Sequence, residues 1–221
     1  MLEGVERLTG ADPQWTVLWL HGLGADGHDF VPLLPELVRP HWPALRFVFP
    51  HAPVRPVTIN NGVPMRAWYD IAAADLGTRA DLAGVQASVA EVEALIAHEA
   101  GRGVPARRVI LAGFSQGGAV ALACGLARPT PLAGLVALST YLPGIDQAAA
   151  RLAPGAQAQP VFMAHGLGDP VVPLAHAERS LAALRALGFP VDWHTYPMAH
   201  QVCAQEVADL GDWLERRFAA G

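Results

Sequence analysis

The sequence predicts an α/β fold, a mostly parallel central sheet with helices on both faces. Short apolar runs recur at Trp15–Leu20, Arg46–Phe49, Arg107–Ala112, Leu132–Ser139, Pro160–His165 and Val191–Tyr196, with helix-compatible stretches between them. That alternation is the mark of strand–helix–strand crossovers in a parallel sheet. Several of the runs are apolar along their length rather than at every second residue, as strands covered on both faces require. The chain is 52% hydrophobic and only 16% charged, which suits a large core. Its 221 residues fit one domain, 1–221, long enough to bury about 70% of the unfolded surface.

The elements follow in order. The strand Trp15–Leu20 ends in His21-Gly22-Leu23-Gly24-Ala25-Asp26-Gly27-His28. Phe30, Leu33, Leu34 and Leu37 recur at helical spacing and predict a helix over Asp29–Val38. Pro50 stops the strand Arg46–Phe49. From His51 to Thr78 the chain reads as a long irregular segment, because Pro53, Pro56, Asn60-Asn61-Gly62 and Pro64 are turn formers. Met65, Trp68, Tyr69 and Ile71 within it argue for an ordered, packed loop. Leu82, Val85, Val89, Val92 and Ile96 give a helix over Asp81–Ala100 one apolar face. Gln147–Gln159 reads as a loose surface connection. Helices are expected over Leu174–Leu187, closed by Gly188, and over Ala204–Phe218. No repeat and no linker long enough to separate two domains is present.

One stretch carries chemistry. Gly113-Phe114-Ser115-Gln116-Gly117 joins the strand Arg107–Ala112 to a small-residue helix, Gly118–Ala127. Strand, sharp turn with a central Ser, then helix is the setting of a G-x-S-x-G nucleophile elbow. The turn is so tight that a Cβ two residues before or after the Ser would push strand and helix apart. The chain has 22 Gly, and its serines are Ser88, Ser115, Ser139 and Ser180. Chance would place Gly at both positions around one of them with a probability of roughly 0.04, before the strand–helix setting is required.

A Ser hydroxyl is a weak nucleophile and needs a base, which in turn needs an acid to fix its tautomer. With this elbow the chain order is Ser, then acid, then His. After Ser115 come His165, His176, His194 and His200. His200 lies just past the last strand, where open α/β sheets place their sites. His194 falls within a strand, His176 on a helix, and His165 precedes the best acid. That acid is Asp169, which leaves the carboxyl end of a strand; its alternative role is a turn or cap before Pro170. Acyl transfer builds negative charge on oxygen, which fixed donors must meet. The backbone N–H of Gln116 is one such donor, and the Gly22-Leu23-Gly24 turn is placed to supply the other. Side-chain loss at Gln116 is expected to be mild, since Ala keeps the N–H.

Composition excludes other classes. The net charge of −5 argues against a nucleic-acid partner. Every basic residue besides His is Arg, which rules out a Lys Schiff base and a P-loop Lys. Cys124 and Cys203 make no metal spacing and no disulfide framework, and are expected as buried, inert thiols. The charge-free run Val109–Ala127 is interrupted by Gly113, Ser115, Gln116, Gly117 and Gly118, so stable membrane insertion is not expected. Met1–Arg7 lacks the apolar core of a signal peptide, which makes the cytoplasm the expected compartment.

Taken together, these motifs resemble those of the phospholipase/carboxylesterase family, the bacterial carboxylesterases and acyl-protein thioesterases. The resemblance covers nearly the whole chain. It rests on Leu20–Gly27, on Pro53 through Trp68-Tyr69-Asp70, on Gly113–Gly118 and on His165–Pro173. It implies an α/β-hydrolase fold without a large cap domain, and no metal or organic cofactor. It implies Ser115, Asp169 and His200 as a triad, and the amides of Leu23 and Gln116 as an oxyanion hole. The segment around Trp68 becomes a wall of the acyl pocket. The chain departs from the family in having Ala199 where Gly often precedes the His, and in Arg66.

The resulting expectation is a serine carboxylesterase acting on short- to medium-chain acyl esters, with thioesters as an extension. Trp68, Ile71 and Leu76 are expected to line the acyl pocket, with Leu23 at its inner end; the alternative is that they only pack the loop onto the domain. An acyl-protein thioesterase or lysophospholipase, and an acyltransferase, remain open, because an acyl-enzyme does not specify its acceptor. A catalytically silent binding protein of the same fold is the non-enzyme alternative; the intact Ser, Asp and His set speaks against it. The sequence leaves a homodimer open.

Overall fold

In chain order the strands are β1 (Gly4–Leu8), β2 (Trp15–Leu20), β3 (Leu45–Pro50), β4 (Val54–Val57), β5 (Val63–Arg66), β6 (Val109–Phe114), β7 (Gly134–Leu138), β8 (Val161–Gly166) and β9 (Val191–Tyr196). The α-helices are α1 (Leu34–Leu37), α2 (Leu82–Gly101), α3 (Gln116–Ala127), α4 (Ala148–Arg151), α5 (Leu174–Ala186) and α6 (Ala204–Ala220). This computed structural model describes residues 2–72 and 81–220.

The apolar runs become a seven-stranded sheet in the order β1-β3-β2-β6-β7-β8-β9, parallel throughout except where β1 pairs with β3. Every residue of β2, β7 and β8 is buried, because helices cover both faces. Alternation then assigns side chains to two cores. Leu18 and Leu20 pack with α2, α3 and α5, whereas Trp15, Val17 and Trp19 pack with α1 and α6. Asp81 caps α2 by accepting the Gly84 N–H at 2.9 Å, the expected chemistry at a helix start.

Two expectations change, and one strand is added. The helix over Asp29–Val38 shrinks to a 3₁₀ turn at Val31–Leu33 followed by α1. Pro32 and Pro35 each remove a backbone donor and are tolerated only in a first turn. The segment after His51 is not irregular: β4 and β5 form a two-stranded ribbon in which Val57 pairs Val63 and Pro56 faces Pro64. Asn61 (φ 55°) and Gly62 (φ 74°) turn the chain between them. β1 has a mixed-charge sequence with only Val5 buried, so no apolar pattern announces it; pairing with β3 makes it a strand.

Cys124 is buried as expected and donates to Glu93 at 3.2 Å, while Cys203 is only half-buried. Among the described residues no helix is long and apolar enough to cross a membrane.

Candidate active site

The turn after β6 is as tight as its glycines imply. A Cβ on Gly113 would lie 2.3 Å from the Gly117 carbonyl, and one on Gly117 would lie 2.3 Å from the Leu20 oxygen. Ser115 is held at φ 53°, a region costly for a residue with a side chain. The surroundings over-determine it: its N–H donates to the Leu138 oxygen at 2.9 Å, and its own carbonyl accepts from Thr140 Oγ1 at 2.6 Å. Gln116 opens α3, so its N–H is one of the first-turn donors with no partner inside the helix.

Asp169 stands on the loop after β8. Its Oδ1 accepts the N–H groups of Val171 (2.8 Å) and Val172 (2.9 Å), which leaves Oδ2 to face His200 Nδ1 at 2.7 Å. His200 Nε2 lies 2.9 Å from Ser115 Oγ. A carboxylate only accepts, so Nδ1 carries the proton and the Nε2 lone pair is turned toward the hydroxyl. Gly166 permits this approach, since a Cβ there would sit 2.3 Å from the Ala199 oxygen. Ser115, Asp169 and His200 are thereby brought together from three separate strand ends.

The remaining histidines do other things. His165, fully buried behind Asp169, contacts the Val172 oxygen at 2.8 Å through Nε2, and burial holds its pKa below the usual histidine range. A neutral ring with Nε2–H donating to that carbonyl braces the aspartate loop. His194 pairs with Asp192 at 3.0 Å on β9, and His176 sits on α5 beside Arg179.

On the other flank a cavity of about 250 Å³ opens beside Ser115 and Gln116, walled by Leu23, Ile59, Tyr69, Ile71, Tyr141 and Val171. Leu23 and Ile71, two of the residues expected at an acyl pocket, border this cavity. Trp68 is not: it is fully buried behind the wall, with Nε1–H donating to the His21 oxygen at 2.9 Å and its N–H to Gln116 Oε1 at 2.8 Å. A large apolar ring carrying one donor is satisfied better there than at a wet surface. Leu76 lies outside the described residues. Tyr69 and Tyr141 were not anticipated, although Tyr69 adjoins Trp68 and carried the same aromatic signal. A more open cleft of about 450 Å³ borders His200, Phe114, Phe30 and Val202.

The Gln116 side chain does more than expected. Besides accepting from Trp68, its Nε2 donates to the Tyr69 oxygen at 2.7 Å, so the residue after Ser115 clamps the cavity wall. His21 works similarly: Nε2 accepts the Ala52 N–H at 3.0 Å and Nδ1 meets the Gly22 oxygen at 2.7 Å. Burial depresses its pKa, consistent with the neutral tautomer those two contacts require. Asp26, His28 and His51 form the one group with metal-ligand character among the described residues. Its atoms are engaged with the loop itself: Asp26 accepts the His28 N–H at 2.7 Å, and His51 Nδ1 accepts the Gly27 N–H at 3.0 Å.

A parallel sheet with a strained serine at a strand–helix elbow and acid and imidazole on later strand ends defines the α/β-hydrolase class. The phospholipase/carboxylesterase family model matches residues 8–217, and the chain belongs to that family. It is 41% identical to acyl-protein thioesterase 1 of Mycosarcoma maydis, covering 96% of this chain and 95% of that protein. It is 38% identical to acyl-protein thioesterase 1 of Yarrowia lipolytica, covering 92% of each. Among solved structures, Zea mays acyl-protein thioesterase 2 superposes with a TM-score of 0.83 at 31% identity, covering 98% of this chain and all (100%) of that one. Arabidopsis thaliana SOBER1 gives a TM-score of 0.87 at 30% identity, covering 92% of this chain and 98% of that one. The protein is an ester or thioester hydrolase.

Proposed function

We propose that the protein hydrolyses short- to medium-chain acyl esters and thioesters through an acyl-enzyme on Ser115. The observation that carries this reading is the relay Ser115 Oγ, His200, Asp169, at 2.9 and 2.7 Å. His200 Nε2 takes the hydroxyl proton as Oγ attacks the acyl carbonyl, and Asp169 stabilises the imidazolium that forms. The tetrahedral oxyanion is met by the N–H groups of Leu23 and Gln116. Collapse breaks the bond to the alcohol or thiol, which leaves with the proton from His200. Water, deprotonated by His200, then attacks the acyl-enzyme and releases the acid.

The acyl chain occupies the apolar cavity beside Ser115, and the leaving group lies toward the open cleft at His200. Thioester substrates on proteins are favoured as a second reading by the two acyl-protein thioesterase 1 relatives. A thiolate leaves more readily than an alkoxide, so the same relay serves both.

The test is labelling with a fluorophosphonate followed by mass spectrometry of the peptides. The expected adduct is on Ser115, competed by butanoyl ester. An adduct on another serine, or none, would overturn the assignment.

A further inference from the structure

One side chain borders both the cavity beside Ser115 and a second cavity. Tyr141, buried just after β7, lines both the 250 Å³ cavity and a second one of about 310 Å³. The second is bounded by Leu142 and Ile145 and by the exposed Asp146, Arg179 and Ala182.

Tyr141 is held through its two chain neighbours and through its phenol. On one side Thr140 Oγ1 donates to the Ser115 oxygen at 2.6 Å; on the other the Leu142 N–H donates to Ser180 Oγ at 2.8 Å. The phenol shares a 2.7 Å hydrogen bond with the Tyr69 hydroxyl, itself buried. Turning the ring aside would leave two buried hydroxyls without partners, which proteins avoid. Burial raises the pKa of both phenols, so the pair stays neutral.

We infer that Tyr141 sets the acyl-chain limit: it is the wall that stops the chain in the first cavity and excludes it from the second. This rests on the acyl group of Ser115 occupying the first cavity. Removing the ring joins two spaces of comparable size, and the longer channel then accepts chains that the wild type rejects.

The experiment compares kcat/KM for dodecanoyl and butanoyl p-nitrophenyl esters, with active sites counted by fluorophosphonate titration. Tyr141→Ala should raise the dodecanoyl-to-butanoyl ratio about tenfold or more, the size of effect a few pocket methylenes produce. Tyr141→Phe keeps the ring and should hold the ratio within about threefold of wild type. Adding Ile145→Phe, at a half-buried lining position, to Tyr141→Ala narrows the second cavity and should return the ratio toward wild type, which general loosening of the fold would not do. Tyr141→Leu serves if the Ala variant does not fold. A folded, titratable variant without the ring but with an unchanged ratio would overturn the partition. Failure of the wild type to titrate on Ser115 would instead overturn the functional reading on which the partition rests.

Discussion

The two flanks of Ser115 are both rigid, but they are built from different materials. The Asp169 flank is held mostly by backbone: Val171 and Val172 donate to the carboxylate, Leu167 N–H to the Tyr196 oxygen, and Gly168 N–H to the Met198 oxygen, with the His165 ring as its side-chain brace. The cavity flank is held by side chains from distant parts of the chain. Gln116 clamps Trp68 and Tyr69, Ser88 donates to the Trp68 oxygen, Asp70 accepts from Thr58, and Tyr141 meets Tyr69. A loop built mostly from backbone tolerates most substitutions apart from its glycines, its functional group and the ring that braces it. A side-chain-built wall can be dismantled one residue at a time, and can be reshaped without touching the chemistry.

The comparison can be broken most severely at its centre. Ser115→Ala should lower kcat by on the order of 10⁶, leaving what binding and the oxyanion donors supply. Asp169→Asn keeps the shape of its flank but favours the wrong imidazole tautomer, and should cost about 10⁴ in kcat. Steady-state rates with butanoyl ester read both. A loss under about tenfold for Ser115→Ala would overturn its role as nucleophile, and one for Asp169→Asn would detach that flank from the chemistry.

Gln116→Ala sharpens the contrast. It leaves the Trp68 N–H buried without its acceptor, a penalty of about 1–3 kcal/mol. Thermal melting should therefore fall, and the mild outcome expected from the retained N–H gives way to a loosened acyl wall. Unchanged melting would mean that the wall is held without Gln116.

The smallest effect concerns α6, which follows the His200 loop. Glu206 is buried near the helix start, and burial pushes its pKa up to about 8, against the pull of the Cys203 backbone. The folded state then keeps a proton that the unfolded state releases above about 4.5, so stability falls as pH rises from about 4.5 toward 8. Glu206→Gln removes the titration and should flatten that decline. Denaturation midpoints at pH 5 and 8 check it; equal slopes in the two proteins would refute it.

What was legible in the sequence follows the same division. β2, β6, β7 and β8 are apolar runs, and the elbow, Asp169 and His200 are recognised within a few residues of their own strands. β1 and the β4–β5 ribbon were not legible, because their pairing partners, not their own patterns, make them strands. Trp68 was read as lining because an aromatic in a loop carries no sign of which side it faces. The role of the Gln116 side chain depends on residues 47 and 48 positions away, and no local spacing encodes that.

The ribbon has one further consequence. It sits at the surface with Val54 and Val63 largely exposed, the kind of apolar strand pair that recruits strands from other molecules. Pro56 and Pro64 face each other across it, and neither has an N–H to share with its opposite. Proline fits only a pair not bonded to each other, whose donors would otherwise point outward along the ribbon's two margins. Two of the ribbon's outward amides are therefore missing. An oily ribbon beside the Ser115 cavity thus offers another chain a broken row of donors rather than a continuous one.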